Sequence, residues 1–151
     1  NARSETLHEK PAYRLPFERK RCLVPADGFY EWQKTGSGKR PYRIRLKSGG
    51  IFSMAGLYDI WVQEDGTKLA TCTVITTPPN ALMEPIHDRM PAILRKEDEL
   101  RWVKRGATAP QELQQLLIPY PADEMEAYPV STAVNSVKND SPLCIEPSSL
   151  L

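Results

Sequence analysis

One stretch carries most of the information about the fold: Tyr42-Arg-Ile-Arg-Leu-Lys47, then Gly49-Gly50, then Ile51-Phe-Ser-Met-Ala-Gly-Leu-Tyr58. Its first part alternates polar and apolar side chains with a period of two, which is typical of a strand with one buried face. Its last part is more apolar and indicates a more buried strand, and the glycine pair between the two supplies a tight turn. These features predict a β-hairpin over residues 42–58.

Further strands and short helices are expected on both sides of this hairpin. The segment 68–76 is rich in β-branched residues and ends at Pro78-Pro79, which predicts a central strand. Shorter strands are expected over 22–25 and 125–130, and short helices over 80–83, 96–104 and 108–117. The 14 prolines favour well-fixed loops over a regular βαβ repeat. We therefore expect an α+β fold with a mostly antiparallel, curved or barrel-like β-sheet and short peripheral helices.

The composition is that of a single globular domain over residues 1–151. Apolar residues make up 40% and charged residues 26%, which argues against a disordered tail, and no apolar run is long enough to cross a bilayer. Cys22, Cys72 and Cys144 are odd in number and widely spaced, which disfavours a disulfide framework or a zinc site. We expect a cytoplasmic monomer that has no metal, no cofactor and no membrane partner.

Positive charge is concentrated near the start of the chain. Residues 1–50 contain twelve basic and five acidic side chains, so this third carries about +7 and the remainder about −6. A basic surface of this kind suits a polyanion such as nucleic acid. An ordinary solvated surface would explain the same asymmetry equally well.

His87 is the first candidate catalytic residue. It lies in a loop restrained by Pro85 and Pro91 and has Asp88 and Arg89 as neighbours. Such a loop can keep an imidazole pointed at a substrate while its neighbours orient the ring. Alternatively, Arg89 pairs with Asp88 and the segment is structural.

Glu31 is the second candidate, because it lies between Tyr30 and Trp32 in Gly28-Phe-Tyr-Glu-Trp32. A carboxylate among aromatic rings loses hydration, a condition that suits a general acid or base. The alternative is an exposed Glu31 on a strand whose other face buries the aromatic residues. Asn1 and Arg3 have the weakest case, because the first residues of a chain are usually frayed.

Several segments together resemble the SRAP family of SOS-response-associated peptidase-like proteins, which process abasic sites. They follow the family's order over nearly all of the chain: Asn1-Ala-Arg-Ser-Glu-Thr6, Arg21-Cys-Leu-Val-Pro-Ala-Asp-Gly-Phe-Tyr-Glu-Trp32, Thr73-Val-Ile-Thr-Thr77 with Asn80, Ile86-His-Asp-Arg-Met-Pro91, and Pro129-Val-Ser with Val134-Asn135. Two of these blocks are long enough that a chance match is a poor explanation.

The resemblance implies a covalent sensor of abasic sites in single-stranded DNA. In such proteins an N-terminal Cys captures the ring-opened aldehyde as a thiazolidine. By resemblance, Asn1 positions the nucleophile, Glu31 orients or deprotonates its amine, and His87 gives the proton that opens the sugar ring. Arg3 and Arg89 match arginines that bind DNA phosphates, and Thr76 matches a hydrogen-bond partner behind the site.

The family chemistry also requires a group that this chain does not supply. A thiazolidine needs an amine and a thiol on adjacent carbons, which only an N-terminal Cys offers, whereas the first residue here is Asn1. The amines of the three cysteines are locked in peptide bonds. We therefore expect an N-terminally truncated fragment that keeps Asn1, Glu31 and His87 and lacks the nucleophile.

Two other functions stay open. The first is a non-catalytic module that binds single-stranded DNA, in which Glu31 and His87 are structural. The second is a thiol peptidase acting on other proteins, which would pair Cys22 or Cys144 with His87. The family resemblance also implies lyase- or autopeptidase-type steps at the N-terminus of the complete chain.

Overall fold

The computed structural model describes residues 1–106 and 108–148. They form two compact units, and each unit is assembled from separate segments of the chain. Unit 1 comprises Asn1–Pro25, Phe52–Pro78 and Met90–Tyr120, and unit 2 comprises Ala26–Ile51, Pro79–Arg89 and Pro121–Leu151. The expectation of one domain over 1–151 stays a prediction.

The strands are short at the ends of the chain and long in its centre. In chain order they are β1 (Ala2–Arg3), β2 (Arg21–Ala26), β3 (Phe29–Thr35), β4 (Gly38–Leu46), β5 (Phe52–Val62), β6 (Lys68–Thr77), β7 (Met90–Pro91), β8 (Ile93–Leu94) and β9 (Met125–Pro129). The α-helices are α1 (Pro11–Arg19), α2 (Glu99–Val103) and α3 (Pro110–Gln114). Single 3₁₀ turns lie at Ser4–Thr6, Lys96–Asp98, Ala122–Glu124, Thr132–Asn135 and Pro142–Cys144.

Unit 1 is built on a sheet in the order β1-β6-β5-β2, in which β7 also pairs with β6 and β8 with β5. Strands β5 and β6 form a long antiparallel hairpin with Gly56 opposite Val74 and Val62 opposite Lys68. Gly66 turns this hairpin with a φ of +83°, a value that favours glycine. Strand β1 adds to β6 in parallel. The core of the unit includes Leu7, Phe17, Ile75, Trp102 and Leu113, none more than 2% exposed.

A buried arginine ties the end of α1 to the end of α2 and the residue that follows it. The Arg21 side chain donates to the carbonyl oxygens of Phe17 at 2.8 Å and Trp102 at 2.6 Å, and also to those of Glu18 and Lys104. Its guanidinium lies over the Trp102 ring, 5.7 Å from the centroid. Because the last carbonyls of a helix lack intrahelical partners, these bonds stabilise the end of α1. The sequence did not predict α1, which contains Pro16 in its interior.

Unit 2 is built on the antiparallel sheet β3-β4-β9. The hairpin of β3 and β4 pairs Phe29 with Ile44 and Thr35 with Gly38. Gly28 precedes this hairpin at a crowded point, where an added Cβ would lie 2.9 Å from Nε of Arg43. The backbone therefore approaches Arg43 in a way that only glycine permits without displacement.

The predicted hairpin over 42–58 is wrong. Strand β4 pairs with β3 and β9, whereas β5 pairs with β6 and β8. The glycine turn does form, with Gly49 at a φ of +72°, but it leads from the sheet of unit 2 to that of unit 1. Alternation identifies a strand and the buried face of that strand, but it does not identify the strand's partner.

The expected α+β class is confirmed, with mostly antiparallel sheets and short helices. The barrel-like alternative is wrong, because neither sheet closes on itself in the described part of the chain. The helix expected over 108–117 is shorter, and 80–83 forms hydrogen-bonded turns instead of a helix. No helix within 1–106 and 108–148 has the length and apolar character that a membrane span requires.

Candidate active site

Strand β3 presents Glu31 and Gln33 on one face of the unit 2 sheet. Side chains alternate along a strand, so Glu31 and Gln33 share a face while Tyr30 and Trp32 lie on the other. Tyr42 is directly opposite Glu31 on β4, and Arg40 is opposite Gln33. The Glu31 side chain is 24% exposed, so it is restrained by the protein but reachable by a ligand.

His87 follows a tight turn that begins at Asn80. Oδ1 of Asn80 accepts a hydrogen bond from the backbone N–H of Met83 at 3.0 Å. The backbone N–H of His87 donates to the Met83 carbonyl at 2.9 Å. Met83 is fully buried and Ile86 is 9% exposed, so two apolar anchors hold the turn just before the imidazole. The proline-restrained loop that the sequence predicted is thus a hydrogen-bonded and anchored turn.

The two candidate catalytic side chains meet within unit 2. Nε2 of His87 lies 3.7 Å from Oε1 of Glu31, and the His87 side chain is 40% exposed. This distance is long for a hydrogen bond but allows an ion pair when the imidazole is protonated. A small displacement would allow a proton to pass between them or to a ligand placed at both groups.

A residue that the sequence did not single out fixes this distance. Nε2 of Gln33 donates a hydrogen bond to the carbonyl oxygen of Pro85 at 2.8 Å. Gln33 is two residues from Glu31, and Pro85 is two residues from His87, so this bond joins the two segments that carry the site. Only the alternation of β3 could have indicated that Gln33 faces the same side as Glu31.

Nδ1 of His87 has two neighbours that favour different protonation states of the ring. Nδ1 accepts a hydrogen bond from the backbone N–H of Arg89 at 3.1 Å, and Oδ1 of Asp88 lies 3.2 Å away. Accepting requires an unprotonated Nδ1, so the neutral ring carries its proton on Nε2, toward Glu31. The Asp88 carboxylate instead complements a ring protonated at both nitrogens. The alternative in which Asp88 pairs with Arg89 stays a prediction.

The opposite face of β3 is tied to a later motif. Nε1 of Trp32 donates to Oδ1 of Asn135 at 2.7 Å, and Ser131 caps the 3₁₀ turn that carries Asn135 by accepting from the N–H of Ala133. The segments 129–131 and 134–135 therefore support the strand that bears Glu31. Tyr30 and Trp32 lie on this supporting face, but they are only half-buried and Glu31 is not exposed. The alternative of an exposed Glu31 opposite buried aromatic residues therefore does not describe this strand.

Unit 1 holds the other sequence-predicted residues. Strand β1 places Arg3 opposite Thr76 of β6, and Oγ1 of Thr76 donates to the carbonyl of Ala2 at 3.4 Å. Ala2 is 1% exposed, so the chain is anchored immediately after Asn1 instead of frayed. Arg3 and Asn1 are themselves exposed. The convergence of Asn1 with Glu31 and His87 stays a prediction.

The thiols are poor candidates for a peptidase nucleophile. Burial, and then the neighbouring Cys72, raise the pKa of the Cys22 thiol. Cys144 is buried, and its thiol contacts the Asn139 carbonyl at 3.7 Å. Because the reactive form is the thiolate, the raised pKa disfavours attack by Cys22, and burial keeps the Cys144 thiol away from a substrate. Across the described residues, no group of three or more His, Cys, Asp or Glu side chains could hold a metal ion.

Comparison with known families identifies the chain. Residues 1–137 match the family model described as SOS response associated peptidase (SRAP). The chain belongs to the SRAP family. The resemblance carried by the motifs around Glu31 and His87 is thereby confirmed at the level of the family.

Curated SRAP relatives are named as abasic site processing proteins. The chain is 56% identical over 147 residues to the abasic site processing protein YoqW of Bacillus subtilis, covering 97% of this chain and 66% of that protein. It is 37% identical to the abasic site processing protein HMCES of Gallus gallus, covering 99% of this chain and 50% of that protein. The chain thus spans between half and two thirds of the length of these relatives.

Solved structures confirm that the SRAP fold is shared. A crystal structure of a protein from Bacteroides thetaiotaomicron matches with a TM-score of 0.91 at 38% identity, covering 99% of this chain and 66% of that chain. A protein from Bordetella bronchiseptica matches with a TM-score of 0.78 at 28% identity, covering 87% and 64% of the two chains.

Proposed function

We propose that this chain supplies the acid–base groups of a site that captures abasic sites in single-stranded DNA as covalent adducts. The observation that carries the proposal is the Glu31–His87 pair at 3.7 Å, which Gln33 holds through Pro85. Curated relatives of this chain are named abasic site processing proteins. The nucleophile is the amine and thiol of an N-terminal Cys in the intact protein, as the family resemblance implies.

The reaction has a defined task for each group. An abasic sugar is mostly a closed hemiacetal. As the ring opens to the aldehyde, protonated His87 gives the proton from Nε2 to the ring oxygen, and the C1′ hydroxyl releases its own proton to water. Glu31 takes a proton from the ammonium group of the nucleophile, since only the neutral amine attacks. The amine adds to the aldehyde carbon, water leaves to give a Schiff base, and the thiol adds across its C=N bond. One water molecule is released for each thiazolidine formed.

The remaining site residues act on the nucleic acid and the nucleophile. Arg3 and Arg89 bind phosphates of the damaged strand, Asn1 positions the nucleophile, and Thr76 supports the segment that carries Asn1. Phosphate contacts position a strand without reading its bases, which suits a lesion that occurs in any sequence. The excess of basic residues in 1–50 adds a general attraction for the strand.

The test uses an intact protein with Cys at its mature N-terminus and a single strand that contains one abasic site. We expect an adduct that survives heating in denaturant, and we expect replacement of that Cys by Ser to abolish it. Absence of an adduct from the intact, folded protein would overturn the proposal.

A second arm separates catalysis from simple binding. If Glu31→Gln and His87→Ala leave the rate of adduct formation unchanged while Arg3→Ala and Arg89→Ala weaken binding, the site is a non-catalytic module that binds single strands. Each phosphate-binding arginine should contribute about 1 to the slope of log affinity against log salt.

A further inference from the structure

Asn80 uses both ends of its side-chain amide, and the two ends bond to different parts of unit 2. Oδ1 accepts a hydrogen bond from the backbone N–H of Met83 at 3.0 Å, within the turn that leads to His87. Nδ2 donates to Sδ of Met125 at 3.4 Å. Met125 is the first residue of β9 and is only 2% exposed. One side chain therefore joins the His87 turn to the sheet.

Met125 lies on the face of the sheet that carries Glu31. The register places Pro129 of β9 opposite Tyr42 of β4, and Tyr42 opposite Glu31 of β3. Opposite residues of an antiparallel pair project to one face, and residues two or four apart on a strand share that face. Met125 precedes Pro129 by four residues, roughly 13 Å along β9. The segment from Asn80 thus starts beside Met125 on this face and ends beside Glu31.

Two hydrogen bonds in series connect Asn80 to His87. The N–H of Met83 donates to Asn80, both to Oδ1 and to the backbone carbonyl at 3.1 Å. The carbonyl of Met83 in turn accepts from the N–H of His87 at 2.9 Å. Met83 is fully buried, so the residue between them has little freedom to move. A shift of Asn80 relative to the sheet therefore also displaces His87.

We propose that Asn80 is a positioning residue for the proton transfers, because it fixes the start of the turn on the sheet and so keeps Nε2 of His87 facing Glu31. The inference rests on the proposed function for the reaction that the pair performs. Asn80 acts through His87, and it is assigned no contact with the DNA. Its loss should lower the rate at saturating DNA and leave the affinity for DNA nearly unchanged.

The test measures single-turnover adduct formation by the intact protein at saturating abasic single-stranded DNA. Asn80→Ala removes both side-chain bonds and should slow the reaction about tenfold, because small displacements of a reacting group are costly. Asn80→Ser keeps an oxygen that can cap the turn but lacks the amide N–H, and should be slowed only about threefold. Met125→Leu removes the sulfur acceptor at nearly constant volume and should match Asn80→Ser. Affinity for a strand with an unreactive tetrahydrofuran analogue of the lesion should change by less than about twofold in each variant.

Asn135→Ala is the matched control, because it also removes an asparagine side-chain hydrogen bond of unit 2, on the face of β3 opposite Glu31. It should change the rate by less than about threefold. In a His87→Gln background, Asn80→Ala should add less than about twofold, since Asn80 acts through His87. Equal slowing by Asn80→Ala in both backgrounds, an equal loss in Asn135→Ala, or no loss in Asn80→Ala would overturn the positioning role. Circular dichroism verifies that each variant is folded, and Met125→Leu decides the question if Asn80→Ala is not.

Amide hydrogen exchange gives a readout that does not depend on the covalent chemistry. Asn80→Ala should speed exchange of the His87 N–H at least about fivefold, whereas Asn135→Ala should leave it unchanged. Unchanged exchange at His87 in Asn80→Ala would overturn the positioning role, whatever the rates. If His87→Gln fails to slow adduct formation, the proposed function fails instead, and the exchange result then decides whether Asn80 holds the turn.

Discussion

Gln33 and Pro85 are 52 residues apart in the chain and are joined by a hydrogen bond of 2.8 Å from the side-chain amide to the carbonyl oxygen. Glu31 and His87 lie two residues from the respective partners and face one another at 3.7 Å. The geometry of the candidate acid–base pair therefore depends on a side chain that takes no part in the chemistry.

Gln33→Met should slow adduct formation at saturating DNA by roughly tenfold, because a displacement of about 1 Å at a reacting group can cost up to about a hundredfold. Methionine has a similar length but no N–H donor. Gln33→Lys keeps a donor and should retain most of the rate. Single-turnover rates of adduct formation are measured for the parent, Gln33→Met and Gln33→Lys. Equal rates for Gln33→Met and Gln33→Lys would show that the hydrogen bond does not position His87.

Asn135→Ala should affect stability more than rate. The change removes the acceptor of the Trp32 indole N–H, a bond of 2.7 Å, and should lower the free energy of unfolding by about 1 kcal/mol. Trp32 lies on the face opposite Glu31, so the rate of adduct formation should change by less than about threefold. Asn135→Asp keeps an acceptor oxygen and should be more stable in urea than the alanine variant. A large loss of rate without loss of stability would contradict this division between the faces.

These contacts show how far sequence patterns reach. Local features could be predicted from the sequence because each depends on a few consecutive residues. These are the motifs around Glu31 and His87 and the strand over 68–76. The strands that pair with β4 and β5 could not be predicted, because the alternation of polar and apolar side chains along a strand does not depend on which strand lies beside it. The bond from Gln33 to Pro85 joins distant segments, and α1 contains a proline that normally argues against a helix.

Arg21→Met should destabilise unit 1 strongly. The Arg21 side chain is buried and donates to four backbone carbonyls. Methionine has no N–H group that could replace these bonds. Unpaired buried acceptors cost about 1 to 3 kcal/mol each, so we expect a loss of at least about 3 kcal/mol. Arg21→Lys restores charge but not the planar set of donors and should recover only part of the loss. Urea unfolding of both variants measures this, and a methionine variant as stable as the parent would refute the assigned role.

The cysteines should differ in reactivity with iodoacetamide near pH 8. Cys72 is exposed and should react first, whereas burial and the neighbouring Cys72 raise the pKa of Cys22 and leave less of it as thiolate. Buried Cys144 should react only on unfolding. Mass spectrometry of peptides from timed samples gives the order. The raised pKa means that the folded protein keeps the Cys22 proton at a pH where the unfolded chain, with its ordinary thiol pKa of 9.0, has lost it. Cys22 therefore lowers the free energy of unfolding as the pH rises past 9.0.

The most direct test of the central claim is a double-mutant cycle for Glu31 and His87 in the intact protein. Single-turnover rates of adduct formation are measured for the parent, Glu31→Gln, His87→Gln and the double variant on the same abasic strand. If the two side chains act as one acid–base pair, each single change slows the reaction by about a hundredfold or more, and the double change costs much less than the product. Unchanged rates in the single variants, or strictly multiplicative losses, would contradict the claim that the pair performs the proton transfers.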